Sequence, residues 1–205
     1  IEMVLGGLIN KDIVNFITSH GGKAIGLTGK DGGLIRAKRM VGEGKFKNVD
    51  FKYTGMVESI DPSVVNLLDQ TAFIPVIAPI GIGHDYKTYN INADTTAGAL
   101  ATSLKSRRLM LMTDVEGVYD KNKKLISEIK SVEAEKLIYD ETISEGMIPK
   151  IRTCINAVNN GVRGVVVIDG RKPHSILFEL FSDKGSGTLI RKWKHFNRLN
   201  IGYLT

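Results

Sequence analysis

Apolar residues along the chain follow two periodicities, one typical of buried strands and one typical of helices. Residues 73–80, Phe-Ile-Pro-Val-Ile-Ala-Pro-Ile, form a short β-branched run bounded by Pro and Gly, which predicts a strand. A helical spacing follows in Ala97, Leu100, Ala101 and Leu104. Segments of both kinds alternate from Phe73 onward, after an earlier portion rich in hairpins. This order predicts an α/β fold with a mainly parallel sheet.

Three polar side chains precede the predicted helix, at Asn90, Asn92 and Asp94. Such residues commonly cap helices, so one interpretation is that all three only cap. One cap needs one side chain, however, and the others are then available to hold a ligand or a catalytic lysine. Strand, loop and helix follow one another here, and ligands bind at such junctions in open α/β sheets. The stretch is therefore a candidate site.

The chain begins at Ile1, without an initiator Met, inside a pattern that predicts a helix ending at about Ser19 before two glycines. We therefore expect a fragment of a longer protein. Residues 28–33, Thr-Gly-Lys-Asp-Gly-Gly, lack the Lys-Ser/Thr ending of a phosphate-binding loop and precede alternating apolar residues. This pattern favours a hairpin turn over a phosphate loop.

Two further segments are candidates for anion chemistry. A polar, Gly-containing loop at residues 113–119 leaves a predicted buried strand, where a doubly wound fold binds nucleotide, although a structural turn explains it nearly as well. Pro149 sets an early helical position and so places Lys150 in the first helical turn. A cation there opposes the helix dipole, which favours an anionic partner over a lysine that only reaches solvent.

Composition narrows the class of protein. The chain has 205 residues and a net charge of +6, but Lys and Arg are scattered, so we expect no nucleic-acid partner; a basic tail at 191–205 is the one local cluster. No apolar run approaches the roughly 20 residues that span a bilayer, so we expect no membrane partner. The single cysteine, Cys154, predicts core packing and a reducing compartment, the cytoplasm or a plastid stroma.

Several ordered motifs resemble the acetylglutamate kinases of the amino-acid kinase family, over nearly the whole chain to about Ile190. They are residues 29–38 (GKDGGLIRAK), 78–81 (APIG), 89–94 (YNINAD), 111–119 (LMTDVEGVY), 146–150 (GMIPK) and 169–171 (DGR). The resemblance implies an open, mainly parallel sheet sandwiched by helices, with an incomplete N-terminal lobe. Residues 1–72 would be the remainder of the lobe that binds the acyl-amino acid, residues 73–190 the nucleotide-binding lobe, and residues 191–205 a tail.

The resemblance also implies a reaction, the ATP-dependent phosphorylation of the side-chain carboxylate of N-acetyl-L-glutamate in arginine biosynthesis. Mg²⁺ would enter with the nucleotide, and no protein residue is implied as a metal ligand. By this resemblance Lys150 neutralises charge on the phosphoryl group, Asp94 orients the catalytic lysines, and Asn90 holds the amino-acid substrate. The implied nucleotide contacts are Asp114, Val115, Glu116, Gly117, Val118, Tyr119, Thr142, Ile143 and Ser144.

Departures from the family pattern set the remaining expectations. The family's Lys-x-Gly-Gly strand, His-Gly-Gly-Gly loop and substrate-binding Arg are not in this sequence, so we expect these residues alone to be inactive. The full-length protein is expected to be a homodimer or a higher homo-oligomer. The alternatives are another amino-acid kinase, acting on glutamate, aspartate or carbamate, and a non-catalytic nucleotide-binding fragment.

Arginine-inhibited members of the family bind arginine near the segment that matches residues 169–187 and form hexamers through an extra N-terminal helix. Glu179 and Gly185 match that site. The preceding strand, residues 165–168, is apolar where the family often has His. We therefore expect this fragment neither to form hexamers nor to be stabilised against heat by arginine.

Overall fold

The helices and strands of the chain group into two compact units. In the computed structural model, which describes residues 1–42, 44, 47, 49–144, 146–182 and 185–192, contacts divide the chain into a first unit, Ile1–Ser106, and a second unit, Arg107–Thr205. Most of the predicted basic tail lies outside the described residues. The assignment of residues 1–72 and 73–190 to separate substrate and nucleotide lobes stays a prediction.

The first unit begins with a continuous helical segment, π-helical over Met3–Ile9 and α-helical over Asn10–Ser19 (α1). Helix α1 ends at Ser19, as the two glycines at positions 21 and 22 predict. The Gly21 N–H donates to the Thr18 carbonyl (3.0 Å) and the Gly22 N–H to the Ile17 carbonyl (3.0 Å), while Gly21 takes a φ of 86°. These two bonds are the Schellman pattern, which needs a left-handed residue and so explains Gly21.

A two-stranded parallel sheet lies beside α1. Strand β1 (Lys23–Thr28) pairs with β4 (Phe73–Ala78), from Lys23 opposite Phe73 to Thr28 opposite Ala78. The buried side chain of Asn10 donates through Nδ2 to the carbonyls of Leu27 (3.2 Å) and Val76 (2.9 Å). One side chain of α1 therefore bridges both strands.

Four more strands close into a small barrel in the order β2-β3-β6-β5. They are β2 (Ile35–Arg39), β3 (Thr54–Ile60), β5 (Ile80–Ile82) and β6 (Thr88–Ile91), and helices α2 (Ser63–Asp69) and α3 (Ala93–Ser103) complete the unit. The barrel core contains Leu34, Ile35, Ala37, Val65, Tyr89 and Ile91.

The predicted hairpin at residues 28–33 is wrong. Strand β1 pairs with β4 and β2 pairs with β3, while Asp31–Gly33 forms a short 3₁₀ turn. The reason is burial, because Leu34 and Ile35 are both 0% exposed and belong to the barrel core. Burying them in the barrel commits β2 to that sheet and not to β1.

The second unit is built on a four-stranded sheet in the order β7-β9-β10-β8. Its strands are β7 (Leu109–Thr113), β8 (Glu128–Lys130), β9 (Val165–Asp169) and β10 (Thr188–Arg191), and its helices are α4 (Ser131–Tyr139), α5 (Ile148–Asn159) and α6 (Ser175–Phe181). Strands β7 and β9 are parallel, as are β8 and β10, and only β9 and β10 are antiparallel.

The core of the second unit follows the sequence pattern. All five residues of β9 are buried, and Cys154 of α5 is 0% exposed, which confirms its predicted packing role. The α/β class with parallel strands flanked by helices is confirmed. Within the described part of the chain, no helix is long and apolar enough to cross a membrane.

Candidate active site

The polar cluster before α3 divides into a cap and two other side chains. Asn92 is the helix cap, since its Oδ1 accepts hydrogen bonds from the Thr95 N–H (3.0 Å) and the Thr95 hydroxyl (3.2 Å). Asp94 is the second residue of the helix and is half-buried. A negative charge in the first turn complements the helix dipole. Of the three polar residues, Asn92 is thus the one that caps α3, as expected if one helix start needs one capping side chain.

Asn90 lies in β6 and its backbone is fixed by the barrel. Its N–H donates to the Tyr53 carbonyl (2.8 Å), and it is opposite Ile80 in β5. The residue is half-buried and precedes Asp94 by four positions across the junction of strand and helix. The structure therefore places both predicted residues of the first unit at one strand–helix junction.

The loop at residues 114–119 leaves the carboxyl end of β7, as predicted. Its end is fixed by Thr188, whose Oγ1 accepts a hydrogen bond from the buried Val118 N–H (2.8 Å) and donates to the Ile126 carbonyl (2.6 Å). Gly117 has a φ of 153°, and a Cβ there would lie 2.4 Å from Thr188 Oγ1. Glycine is required because the loop crosses this hydroxyl at contact distance.

Thr188 and Lys172 support this loop, and the sequence does not single out either residue. Lys172 forms an ion pair with Glu116, whose other carboxylate oxygen accepts a hydrogen bond from Tyr119 Oη (3.0 Å). The hydrogen bond from Lys172 lowers the pKa of Glu116, and the hydrogen bond to Glu116 raises the pKa of Tyr119. The one sequence signal that could have identified Lys172 is its position directly after the Asp-Gly-Arg motif at residues 169–171.

Asp169 ends β9 beside this loop and is held by Arg171. Asp169 Oδ1 accepts from Arg171 Nε (3.0 Å) and from the Arg171 N–H (2.9 Å), and Oδ2 accepts from the Arg171 guanidinium (3.0 Å). These hydrogen bonds, first of all those from the side chain, lower the pKa of Asp169 to about 2. The side chain of Asp169 is 5% exposed and that of Arg171 is 67% exposed.

Residues 142–144 form the connection from α4 to α5. The Thr142 N–H donates to the Leu137 carbonyl (3.0 Å), and Ile143 is buried. The Thr142 hydroxyl is buried, and it has no hydrogen-bond partner among the residues that the structure describes. A buried polar group without a partner costs about 1 to 3 kcal/mol. The position fits a hydroxyl that a bound ligand or a water would satisfy.

Lys150 lies in the first turn of a helix, as the position of Pro149 predicts. Helix α5 begins at Ile148 after Met147, so Pro149 is its second residue and the half-buried Lys150 its third. The positive end of the helix and the ammonium group together produce a local positive potential suited to an anion. Of the two predicted catalytic residues, Asp94 belongs to the first unit and Lys150 to the second.

No cluster typical of a resident metal is found among the described residues. No group of three or more His, Cys, Asp or Glu side chains there could hold a metal ion. The charged groups at the candidate positions of the second unit are instead Lys150 and the ion pairs beside loop 114–119. Such a set stabilises anions by positioned charge and hydrogen bonds.

Comparison with known families decides the classification. Residues 1–169 match the sequence model of the amino acid kinase family. The chain belongs to the amino acid kinase family. It is also 52% identical over 194 residues to the acetylglutamate kinase of Nitrosomonas eutropha, an alignment that covers 93% of this chain. The chain spans 66% of the length of that relative.

Solved structures share the fold of this chain. The smu.665 protein of Streptococcus mutans superposes with a TM-score of 0.73 at 27% identity, covering 92% of this chain and 69% of that protein. Giardia carbamate kinase superposes with a TM-score of 0.64 at 20% identity, covering 94% of this chain and 71% of that protein. The second likeness shows a shared fold and nothing more.

Proposed function

We propose that the complete protein phosphorylates the side-chain carboxylate of N-acetyl-L-glutamate with ATP, a step of arginine biosynthesis. The observation that carries the proposal is the 52% identity, over 93% of the chain, to a protein named acetylglutamate kinase. A cytoplasmic location suits a chain that has a single cysteine, Cys154, and buries it in the core.

Phosphoryl transfer depends mainly on positioning and on stabilising charge spread over phosphate oxygens. A carboxylate oxygen of the acceptor attacks the γ-phosphorus while the bond from phosphorus to the ADP oxygen breaks. Lys150, at the start of α5, neutralises charge on the transferred phosphoryl group. Asp94 orients the catalytic lysines. Asn90 holds the acceptor. Because the acceptor is already ionised, no general base is needed.

Loop 114–119 and residues 142–144 are proposed to bind the nucleotide. The Thr142 hydroxyl, which has no hydrogen-bond partner within the described part of the chain, supports this because a bound ligand would satisfy it. The close backbone approach at Gly117 also supports it, because a well-packed loop would position the ligand. Mg²⁺ would be held mainly by phosphate oxygens and water, as is usual for nucleotide complexes. Its role is to neutralise phosphate charge.

Two alternatives are separable by experiment. A kinase for glutamate, aspartate or carbamate shares the fold, but the carbamate kinase likeness is only 20% identical. A non-catalytic nucleotide-binding protein would bind ATP without turnover. The test measures ADP release by the complete protein with N-acetylglutamate, glutamate, aspartate and carbamate in parallel. We expect turnover with N-acetylglutamate above all; preference for another acceptor, or binding without turnover, would favour the corresponding alternative.

A homodimer or higher homo-oligomer is proposed for the complete protein. The first helical segment exposes an apolar stripe of Ile9, Ile13 and Phe16, which are 44%, 42% and 66% exposed. Apolar patches of this kind commonly mark protein contacts. Light scattering of the complete protein should give at least twice the monomer mass, and Phe16→Glu should lower it. A parent protein that is monomeric would exclude the proposal.

A further inference from the structure

Two loops of the second unit leave neighbouring parallel strands side by side. Thr113, the last residue of β7, is opposite Asp169, the last residue of β9. The Gly170 N–H then donates to the Thr113 carbonyl (2.8 Å), so the pairing continues one step past the strands. Loop 114–119 and the turn at residues 170–174 therefore begin in a fixed relation to each other.

Loop 114–119 has anchored ends and an exposed centre. At one end it continues β7, and at the other the Val118 N–H is bound to Thr188 in the core. Between them Glu116 is partly exposed, with 40% of its side-chain surface accessible. Its carboxylate is held by Lys172 from the neighbouring turn and by the Tyr119 hydroxyl. The side chain of Lys172 thus joins the two loops.

The charges around this contact favour one pairing. Asp169 is the other carboxylate beside Lys172, but Arg171 binds both of its oxygens. Lys172 is therefore directed to Glu116, and the pKa of Lys172 is raised chiefly by that hydrogen bond. The pKa of Glu116 is lowered by the same contact, so both groups are charged at neutral pH.

We propose that Lys172 is a positioning residue for the nucleotide site, because its ion pair with Glu116 holds the centre of loop 114–119 in the conformation that binds ATP. This inference rests on the proposed nucleotide role of the loop. Lys172 acts through Glu116 and is not itself assigned a contact with ATP. Its loss should weaken ATP binding and leave the chemical step unchanged.

The test uses the complete protein and the variant Lys172→Gln. Partly exposed ion pairs are weak, so we expect the KM for ATP and the Kd for ATP to rise about three- to fivefold. The kcat and the KM for N-acetylglutamate should stay at the parent values. Lys172→Arg should restore most of the affinity, since it keeps the charge. Glu116→Gln should also weaken ATP binding, and adding Lys172→Gln to it should cause no further loss.

A matched control comes from another ion pair of the same unit. Arg191 Nε lies 3.2 Å from Glu128 Oε1, and Arg191 is 52% exposed against 51% for Lys172. Arg191→Gln removes this pair, which joins β10 to β8, and should leave the KM for ATP unchanged. An equal rise in both variants would indicate a general loss of order and overturn the inference.

Other outcomes also decide the matter. An unchanged KM for ATP in Lys172→Gln, or a fall in kcat at constant KM, would overturn the positioning role. Additive effects in the double variant would show that Lys172 does not act through Glu116. If the parent protein fails to bind ATP in calorimetry, the proposed function is overturned as well. If the parent binds ATP and Lys172→Gln binds it equally tightly, this inference alone is overturned.

Discussion

Asn10 lies directly over Gly26, and the contact leaves no room for a side chain at position 26. A Cβ there would be 1.9 Å from Asn10 Oδ1. The amide nitrogen of Asn10 donates to carbonyls of both β1 and β4, while its buried oxygen has no hydrogen-bond partner among the described residues. Glycine at position 26 is therefore what lets α1 approach the two-stranded sheet so closely.

The first prediction is that Gly26→Ala destabilises the protein. The added methyl group would displace Asn10 and disturb its bonds to Leu27 and Val76, and overpacking of this kind costs about 1 to 3 kcal/mol. Urea unfolding followed by circular dichroism measures the free energy of unfolding. Gly7→Ala is the control, because a Cβ at Gly7 meets nothing within 4 Å, and it should be neutral or slightly stabilising. Equal stability of the two variants would contradict the role of Gly26.

Local signals in the sequence predict several features correctly. The end of α1 at Gly21, the position of Lys150 after Pro149 and the burial of Cys154 each depend on a few neighbouring residues. These features follow from backbone conformation and helical periodicity, which short segments encode.

Features that depend on distant pairing are not predictable in the same way. Strands β5 and β6 are only three and four residues long, and the barrel closes by pairing residues such as Gly55 and Ile91. The hairpin prediction failed for this reason. Likewise the Lys172–Glu116 pair spans 56 positions, so no local pattern indicates it.

The second prediction concerns Lys150. In the complete protein, Lys150→Ala should lower kcat much more than it weakens ATP binding, by about a hundredfold or more, because it removes a positioned charge from the transition state. Lys150→Arg should also fail substantially, since a planar guanidinium does not replace a point charge. Steady-state kinetics and ATP calorimetry provide both quantities. Turnover equal to the parent would exclude the assigned role.

The third prediction separates two roles for Asp94. Asn92 is the cap of α3, so Asp94→Asn should cost at most about 1 kcal/mol of stability, the usual scale for a charge at a helix start. If Asp94 orients the catalytic cations, kcat should nevertheless fall by at least about tenfold across the whole pH range. A parent-like rate would leave only a structural role. Loss of an acidic limb from the pH profile would indicate that Asp94 titrates during catalysis instead.

The fourth prediction links Asp169 to acid stability. Its pKa is about 2 in the folded protein, because of the hydrogen bonds from Arg171, against about 3.9 in an unfolded chain. A lowered folded-state pKa gives stability that is present above the unfolded value and is lost as the pH falls towards 2. The parent should therefore exceed Asp169→Asn in free energy of unfolding at pH 5, and the difference should shrink between pH 4 and 2. Arg171→Gln should reduce the same pH dependence. Parallel curves for parent and variants would contradict the assignment.

The last prediction is that arginine does not stabilise this protein. Glu179 and Gly185 line a cavity of about 660 Å³ in the second unit. Both oxygens of Glu179 are already bound, Oε1 by Arg108 (3.0 Å) and Oε2 by the Ser186 N–H (3.0 Å).

The valine-rich strand β9 also offers no side-chain donor to the carboxylate of an effector, and a lost hydrogen bond of this kind weakens binding about tenfold or more. Differential scanning fluorimetry with millimolar arginine, and with lysine as the control cation, should therefore show equal melting temperatures. A rise with arginine that lysine does not reproduce would mean that Glu179 exchanges Arg108 for the effector, and that β9 needs no polar side chain for binding.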